Sequence, residues 1–216
     1  MDIKNELLGM QYVYFGNLLE HLPQYKSGLF HGLALHPKSD KDIQHDARDI
    51  LPFESDSILG FQSEDVFEHL EYATIPGVLD EIYRCLQVGG KFRMSMPDYN
   101  SPLLRRRSVY DSDGMILCDL SMGGSVSASC NTTVTPSFMS DGDAHLWFPT
   151  YTHVMELILA SDIRKCREIC FQHVWVDRQA FILNDFEAGY MPVMRIPPND
   201  MRADGKPISL VVDFWK

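Results

Sequence analysis

Acidic and imidazole side chains that can take up a proton stand at several points of the sequence. Asp98 directly follows a strand-like segment, and His145 opens the aromatic stretch HLWFPTY. Carboxylates and imidazoles are the groups that most often remove a proton from an oxygen or nitrogen nucleophile. We therefore take Asp98 and His145 as candidate catalytic residues. The aromatic residues after His145 either wall a substrate pocket or form ordinary core, and the second interpretation is favoured.

Short apolar segments predict the strands that would position these residues. The segments are rich in β-branched and aromatic residues and end at turn-forming residues. They are Gln11–Phe15, Leu29–Leu35, Asp42–His45, Ile58–Ser63, Lys91–Met96, Arg167–Trp175 and Ile208–Trp215. We expect these strands to belong to one domain that spans residues 1–216.

Apolar residues at helical spacing predict an amphipathic helix between the fourth and fifth strands. Thr74 can cap this helix, and Gly89-Gly90 is expected to end it. Alternating strands and helices, followed by two late strands, indicate an α/β fold with a doubly wound sheet. Two long excursions are predicted, at about residues 99–145 and at the Pro-rich residues 176–206, and such loops often cover functional sites.

Ligands of open α/β sheets bind beyond the carboxyl ends of the strands. The residues that follow the predicted strands are therefore candidates for cofactor binding. They are Gly16, Asn17, His36, Asp46, Ala47, Arg48, Ser63, Glu64 and Asp65. Each also has a local interpretation, since glycine makes tight turns and aspartate can cap them.

The order of motifs from Asp46 to Asp98 resembles the class I S-adenosylmethionine-dependent methyltransferases, and most closely the short type 11-like members. The matching pieces are Asp46, Leu51-Pro52-Phe53, Glu68-His69, the helix with its Gly89-Gly90 end, and Pro97-Asp98. The resemblance implies a Rossmann-like sheet of seven strands in the order 3-2-1-4-5-7-6, with strand 7 antiparallel. It also implies S-adenosylmethionine as the cofactor and a mainly structural role for Glu68-His69.

The resemblance assigns parts of the cofactor to individual strand ends. It places Gly16-Asn17 at the methionine part and His36 at the ribose. Asp46 would meet the amine of adenine, with Ala47 and Arg48 beside it. The loop of Ser63, Glu64 and Asp65 would lie beneath the methionine end, where either acid is a further candidate base.

Two departures from the family pattern bear on activity. Only Gly16 remains of the glycine-rich motif after the first strand, and His36 replaces the usual acid after the second. These departures imply weakened or lost cofactor binding. The leading hypothesis is a methyltransferase that acts on a small-molecule or sugar-like acceptor. The alternatives are a catalytically inactive binding or assembly module and a protein that binds another nucleotide.

Composition limits the partners and the compartment. The net charge of −11 disfavours nucleic acid, because an acidic surface repels phosphates. The basic run Arg105-Arg106-Arg107 is either a solvated loop, which is favoured, or a clamp for an anionic substrate. Five scattered cysteines and the lack of an apolar span predict a cytoplasmic protein without membrane partners. Eight histidines without ligand spacing predict no metal site, and a homodimer stays open.

Overall fold

The structure is a computed structural model that describes residues 9–128, 134–138, 144–187 and 189–216. Its strands in chain order are β1 (Tyr12–Phe15), β2 (Phe30–Ala34), β3 (Asp42–Gln44), β4 (Ile58–Glu64), β5 (Leu86–Pro97), β6 (Ser108–Tyr110), β7 (Ile116–Asp119), β8 (Gly124–Ala128), β9 (Val134–Phe138), β10 (Glu168–Trp175), β11 (Phe181–Leu183) and β12 (Ser209–Trp215). Its α-helices are α1 (Pro23–Ser27), α2 (Ile75–Cys85), α3 (Pro102–Arg107) and α4 (Tyr151–Leu159). Short 3-10 helices occupy Phe67–His69, Tyr72–Thr74 and Asp162–Lys165.

The central sheet confirms the predicted Rossmann-like topology. Its order is β3-β2-β1-β4-β5-β12-β10-β11, so the predicted seven strands appear in the predicted order, with β12 as strand 7 and β10 as strand 6. The first five strands are parallel, and β12 runs antiparallel to both of its neighbours. The count of seven was too low, because β11 pairs with the outer side of β10 as an eighth strand.

The predicted end of the amphipathic helix was wrong. Helix α2 ends at Cys85, and the chain passes at once into β5, where Leu86 pairs with Ile58. Gly89-Gly90 lies inside that strand instead, where the pairing register with β4 shifts. Gly89 takes a positive φ of 82°, a conformation that glycine adopts without steric cost.

Hydrophobic side chains on one face of the sheet form the main core. Phe61, Phe92 and Phe214 lie side by side on this first face and are fully buried. They belong to one apolar cluster with the buried sides of α2 and α4. Burying phenylalanine side chains in this way supplies about 1.5–3 kcal/mol each.

The opposite face of the sheet is polar in its centre, although it too is buried. Gln62, Arg93 and Asp213 lie in register on β4, β5 and β12. Arg93 donates hydrogen bonds from Nε and Nη2 to Asp213 at 2.7 and 2.8 Å, and from Nη1 to the carbonyl of Met191 at 2.6 Å. Gln62 donates to the carbonyl of Pro192 at 2.7 Å. Part of the Pro-rich excursion therefore covers this second face.

The long excursion after β5 is folded where the structure describes it. It contains α3 and two small antiparallel pairs, β6 with β7 and β8 with β9. Among the described residues, no helix combines the length and the apolar character needed to cross a membrane.

Substitution of Gly32 tests how closely β1, β2 and β3 pack against one another. A Cβ at this position would collide with the carboxylate of Asp42 and come within 3.0 Å of the carbonyl oxygen of Gly16. We expect Gly32→Ala to lower the free energy of unfolding by about 1–3 kcal/mol, as overpacking does. Urea denaturation measures this change.

Gly77→Ala is the matched control. A Cβ at Gly77 has no neighbour within 4 Å, and the residue lies in α2. Alanine is the better helix former, so this variant should be about 0.5–1 kcal/mol more stable than the wild type. Equal effects of the two substitutions would contradict the packing described here.

Candidate active site

The turn after β1 is fixed by the start of β3. Gly16 has a φ of 100°, and its N–H donates to the carbonyl of Leu33 at 2.8 Å. The Asp42 carboxylate accepts hydrogen bonds from the N–H of Leu18 at 2.8 Å and from the N–H groups of Lys38 and Ser39 at 2.9 Å. The Asp42 carboxylate therefore holds both the loop that follows β1 and the loop that follows β2.

The acids at the end of β4 contact the Pro-rich excursion. Glu64 accepts a hydrogen bond from the N–H of Met194 at 2.8 Å, and Asp65 forms an ion pair with Arg195 at 2.8 Å. Burial raises the pKa of Glu64 to about 7, which is the range of a good general base at neutral pH. Burial also raises the pKa of Asp65, and Arg195 opposes that rise.

A buried chain of polar side chains begins at His145. The hydroxyl of Tyr99 lies 2.6 Å from His145 Nδ1 and donates to Asp119 at 2.6 Å. Arg107 pairs with the same carboxylate, also at 2.6 Å. Because the hydroxyl proton goes to Asp119, we assign the imidazole proton to Nδ1, where it is donated to the tyrosine oxygen. Nε2 of His145 then carries a lone pair.

Glu68 faces that lone pair. Its carboxylate is fully buried, and Oε1 lies 3.7 Å from Nε2 of His145. Burial raises the pKa of Glu68 well above its usual range and lowers the pKa of His145 to about 3. Burial thus disfavours the charged form of both groups.

Solved structures of other proteins share this fold. A methyltransferase from Archaeoglobus fulgidus that depends on S-adenosylmethionine superimposes with a TM-score of 0.53 at 13% identity, over 99% of this chain and 93% of that chain. A second such enzyme, from Mesorhizobium loti, matches with a TM-score of 0.47 at 12% identity, over 99% and 96% of the two chains. This chain has the fold of a class I methyltransferase. The sequence matches no family model and no curated protein.

The methyltransferase fold places its cofactor crevice where β1 and β4 end side by side. Phe15 pairs with Ser63 in the sheet, and Gly16 lies against Val66, so the predicted residues of these two ends do come together. Three buried oxygens there, Asn17 Oδ1, Ser63 Oγ and Asp65 Oδ1, have no hydrogen-bond partner within the described chain. Buried polar atoms without partners are rare, and a bound polar ligand would satisfy them. The residues at these two strand ends therefore fit the predicted cofactor.

The residues predicted to bind adenosine are differently arranged. Asp46 follows β3 as predicted, but Arg48 donates to both carboxylate oxygens, at 3.0 Å from Nε and 2.6 Å from Nη2. These bonds lower the pKa of Asp46 to about 2. His36 is exposed, and Ala47 packs against the main core. An adenine amine would have to share Asp46 with Arg48.

Asp98 lies at the end of β5, as predicted, with its carboxylate turned to the backbone. Its oxygens accept hydrogen bonds from the N–H of Trp175 at 2.6 Å and of Asn100 at 3.0 Å. Burial raises the pKa of Asp98 to about 7. The side chain joins β5 to β10, and its catalytic role stays a prediction.

Sequence reasoning missed the connection of His145 to three further polar side chains. Tyr99, Arg107 and Asp119 are separated by many residues, and no spacing motif connects them. Arg107 was treated only as part of a basic run.

The raised pKa of Asp98 predicts a pH dependence of stability. Between about pH 4 and pH 7 the folded protein binds the proton more tightly than the unfolded chain, whose aspartate has a pKa of about 3.9. This carboxyl's contribution to the free energy of unfolding therefore falls as the pH rises through that window, by up to about 1.4 kcal/mol per pH unit. The unfolding free energy of the wild type minus that of Asp98→Asn should therefore fall as the pH rises from about 4 to 7, as measured in urea titrations.

Asp177→Asn is the control for that measurement. Asp177 also accepts two backbone hydrogen bonds, from Gln179 and Ala180, but it is exposed and its pKa is lowered. The stabilisation that Asp177 provides is lost only as the pH falls below about 4. The unfolding free energy of the wild type minus that of Asp177→Asn should therefore stay constant from about pH 4 to 7. A flat difference for Asp98→Asn as well would contradict the burial effect.

Proposed function

We propose that the protein is an S-adenosylmethionine-dependent methyltransferase that acts on a small-molecule or sugar-like acceptor. The observation that carries the proposal is the group of unpartnered buried oxygens at Asn17, Ser63 and Asp65, at the strand ends where this fold binds its cofactor. The fold alone is shared by proteins of different function, so the local fit matters.

Particular residues would hold the cofactor. Gly16, with its positive φ, brings backbone close to the methionine part, while Asn17 and Ser63 offer polar atoms to it. The bound cofactor supplies a methyl group on a positively charged sulfur. The acids Glu64 and Asp65 favour that positive charge in a partly buried site. Asp46 would accept from the adenine amine in competition with Arg48.

Glu64 is the residue that we assign to proton removal from the acceptor. Its pKa of about 7 keeps it ionised in part and able to take up a proton at neutral pH. The backbone bond from Met194 holds one oxygen in place, so the carboxylate is oriented before the acceptor arrives. Preorganisation of this kind lowers the entropic cost of reaching the reactive geometry.

A cavity beside α3 indicates the kind of acceptor. It has a volume of about 580 Å³ and is lined by Arg105, Arg106, Arg178 and Tyr110, together with Pro102 and Gly114. Guanidinium groups bind carboxylates and phosphates with two parallel hydrogen bonds. The acceptor we propose therefore carries an acidic group, such as the phosphate of a sugar phosphate.

Calorimetric titration with S-adenosylmethionine and with S-adenosylhomocysteine tests the cofactor. We expect both to bind, and Asp46→Ala to weaken binding by about 10-fold, the value of one hydrogen bond to a charged group. Asp49→Ala, which changes an exposed acid three residues away, should bind like the wild type.

The outcomes of this titration separate the candidate functions. Absence of binding at millimolar ligand, for both compounds, would refute the methyltransferase proposal and favour a non-catalytic module. The ion pair of Asp46 with Arg48 favours that second function, because it occupies the carboxylate on which the adenine depends. Binding of adenine or uridine nucleotides in preference to S-adenosylmethionine would identify another nucleotide ligand.

Binding of glucose 6-phosphate tests the acidic acceptor. We expect the wild type to bind it more tightly than glucose, and Arg106→Ala to remove that preference, because a guanidinium is lost from the cavity. Arg167→Ala removes an exposed arginine that does not line the cavity and should leave the preference unchanged. Equal binding of the two sugars by the wild type would contradict the acidic-group assignment.

A further inference from the structure

We propose that Glu68, His69 and His145 bind one divalent transition-metal ion of the zinc type. One ligand atom from each residue lies within 4.8 Å of the other two. The separation of Glu68 Oε1 and His145 Nε2 is 3.7 Å, close to the ligand spacing of about 3.4 Å expected around a tetrahedral zinc ion with bonds of about 2.1 Å.

The hydrogen bonds of the two histidines leave the correct nitrogens available. Nδ1 of His69 donates to the carbonyl of Ala144 at 3.0 Å, and Nδ1 of His145 donates to Tyr99, which is held by Asp119. Nε2 of each ring therefore carries a lone pair. Metal-binding histidines usually donate their other nitrogen in this way to a carbonyl or to a carboxylate network, which fixes the tautomer and the ring orientation.

The carboxylate of Glu68 supplies a second, independent observation. It is fully buried, and neither of its oxygens has a hydrogen-bond partner within the described chain. A buried acid without partners, opposite the lone pair of an imidazole, is unfavourable unless a proton or a cation lies between them. A metal ion satisfies the carboxylate oxygen and both ring nitrogens at once.

The backbone around the three ligands is held together without the ion. The N–H of Leu146 donates to the carbonyl of Glu68 at 2.8 Å, and Nε1 of Trp147 donates to the carbonyl of Phe67 at 2.9 Å. These bonds join the 3-10 helix after β4 to the segment that carries His145. The ligands are therefore brought together by the fold, as a preformed site requires.

The donor set indicates the class of ion. Two imidazoles and one carboxylate suit zinc and neighbouring divalent metals, whereas calcium and magnesium prefer sites made of oxygen alone. Three protein ligands leave a fourth position open to water or substrate, as in catalytic zinc sites. In this arrangement His145 is a metal ligand, and its Nε2 is not available to take a proton from the acceptor. The inference stands independently of the methyltransferase proposal.

Calorimetric titration of the full chain with Zn²⁺ tests the site, after treatment with a chelator and removal of the chelator. We expect one ion per chain and a rise in melting temperature on binding. Titration with Co²⁺ should give the visible absorption of a four-coordinate site. Tyr99→Phe, which removes the hydroxyl that contacts both His145 and Asp119 but leaves all three ligands in place, should weaken Zn²⁺ binding by about 10- to 100-fold.

Glu68→Gln and His69→Ala should weaken binding more than Tyr99→Phe does, because the first removes the negative charge of a ligand and the second removes a ligand. His21→Ala changes an exposed histidine outside the cluster and should have no effect. Melting curves of the metal-free variants establish that each is folded. Absence of a one-to-one Zn²⁺ complex in the wild type, or binding that Glu68→Gln leaves unchanged in a folded protein, would overturn the proposal.

Discussion

The buried contact between Arg93 and Asp213 is the interaction on which the arrangement of the site depends. It crosses from β5 to β12 on the second face of the sheet, and Lys91 and Gln172 join it at 3.0 and 3.1 Å. Buried ion pairs add little net stability, because desolvation offsets their attraction. They do select one register, since a slip by one residue would turn the arginine to the apolar first face.

The same contact determines what lies above the crevice. The third hydrogen bond of Arg93 fixes the carbonyl of Met191, and the chain continues from there to Met194 and Arg195, which hold Glu64 and Asp65. In this chain, the polar face of the sheet and the irregular segment that covers it thus orient Glu64 and Asp65 at the end of β4. The pKa of Glu64 is raised because this segment shields the carboxyl group from water.

The strands of the sheet could be predicted from the sequence because the signals that mark a strand are local. Ends of strands such as Phe15 and Trp215 follow from apolar runs and turn residues, and they agree with the structure. The prediction that Gly89-Gly90 ends the helix was wrong because this glycine pair lies within β5, at the point where the pairing register with β4 shifts. The strand at Phe181–Leu183 was missed because three apolar residues in a Pro-rich segment give no periodic signal. The cluster around His145 was beyond reach, since its members meet only when the excursion after β5 folds back on the sheet.

The lengths of the outermost strands have a consequence for self-association. β3 and β11, which end the sheet on its two sides, are each three residues long. Another chain can extend an open sheet by pairing with a long row of free main-chain N–H and C=O groups. Very short edge strands offer few such groups. Continuation of the hydrogen-bonded ladder by a second copy is accordingly disfavoured at these two strands.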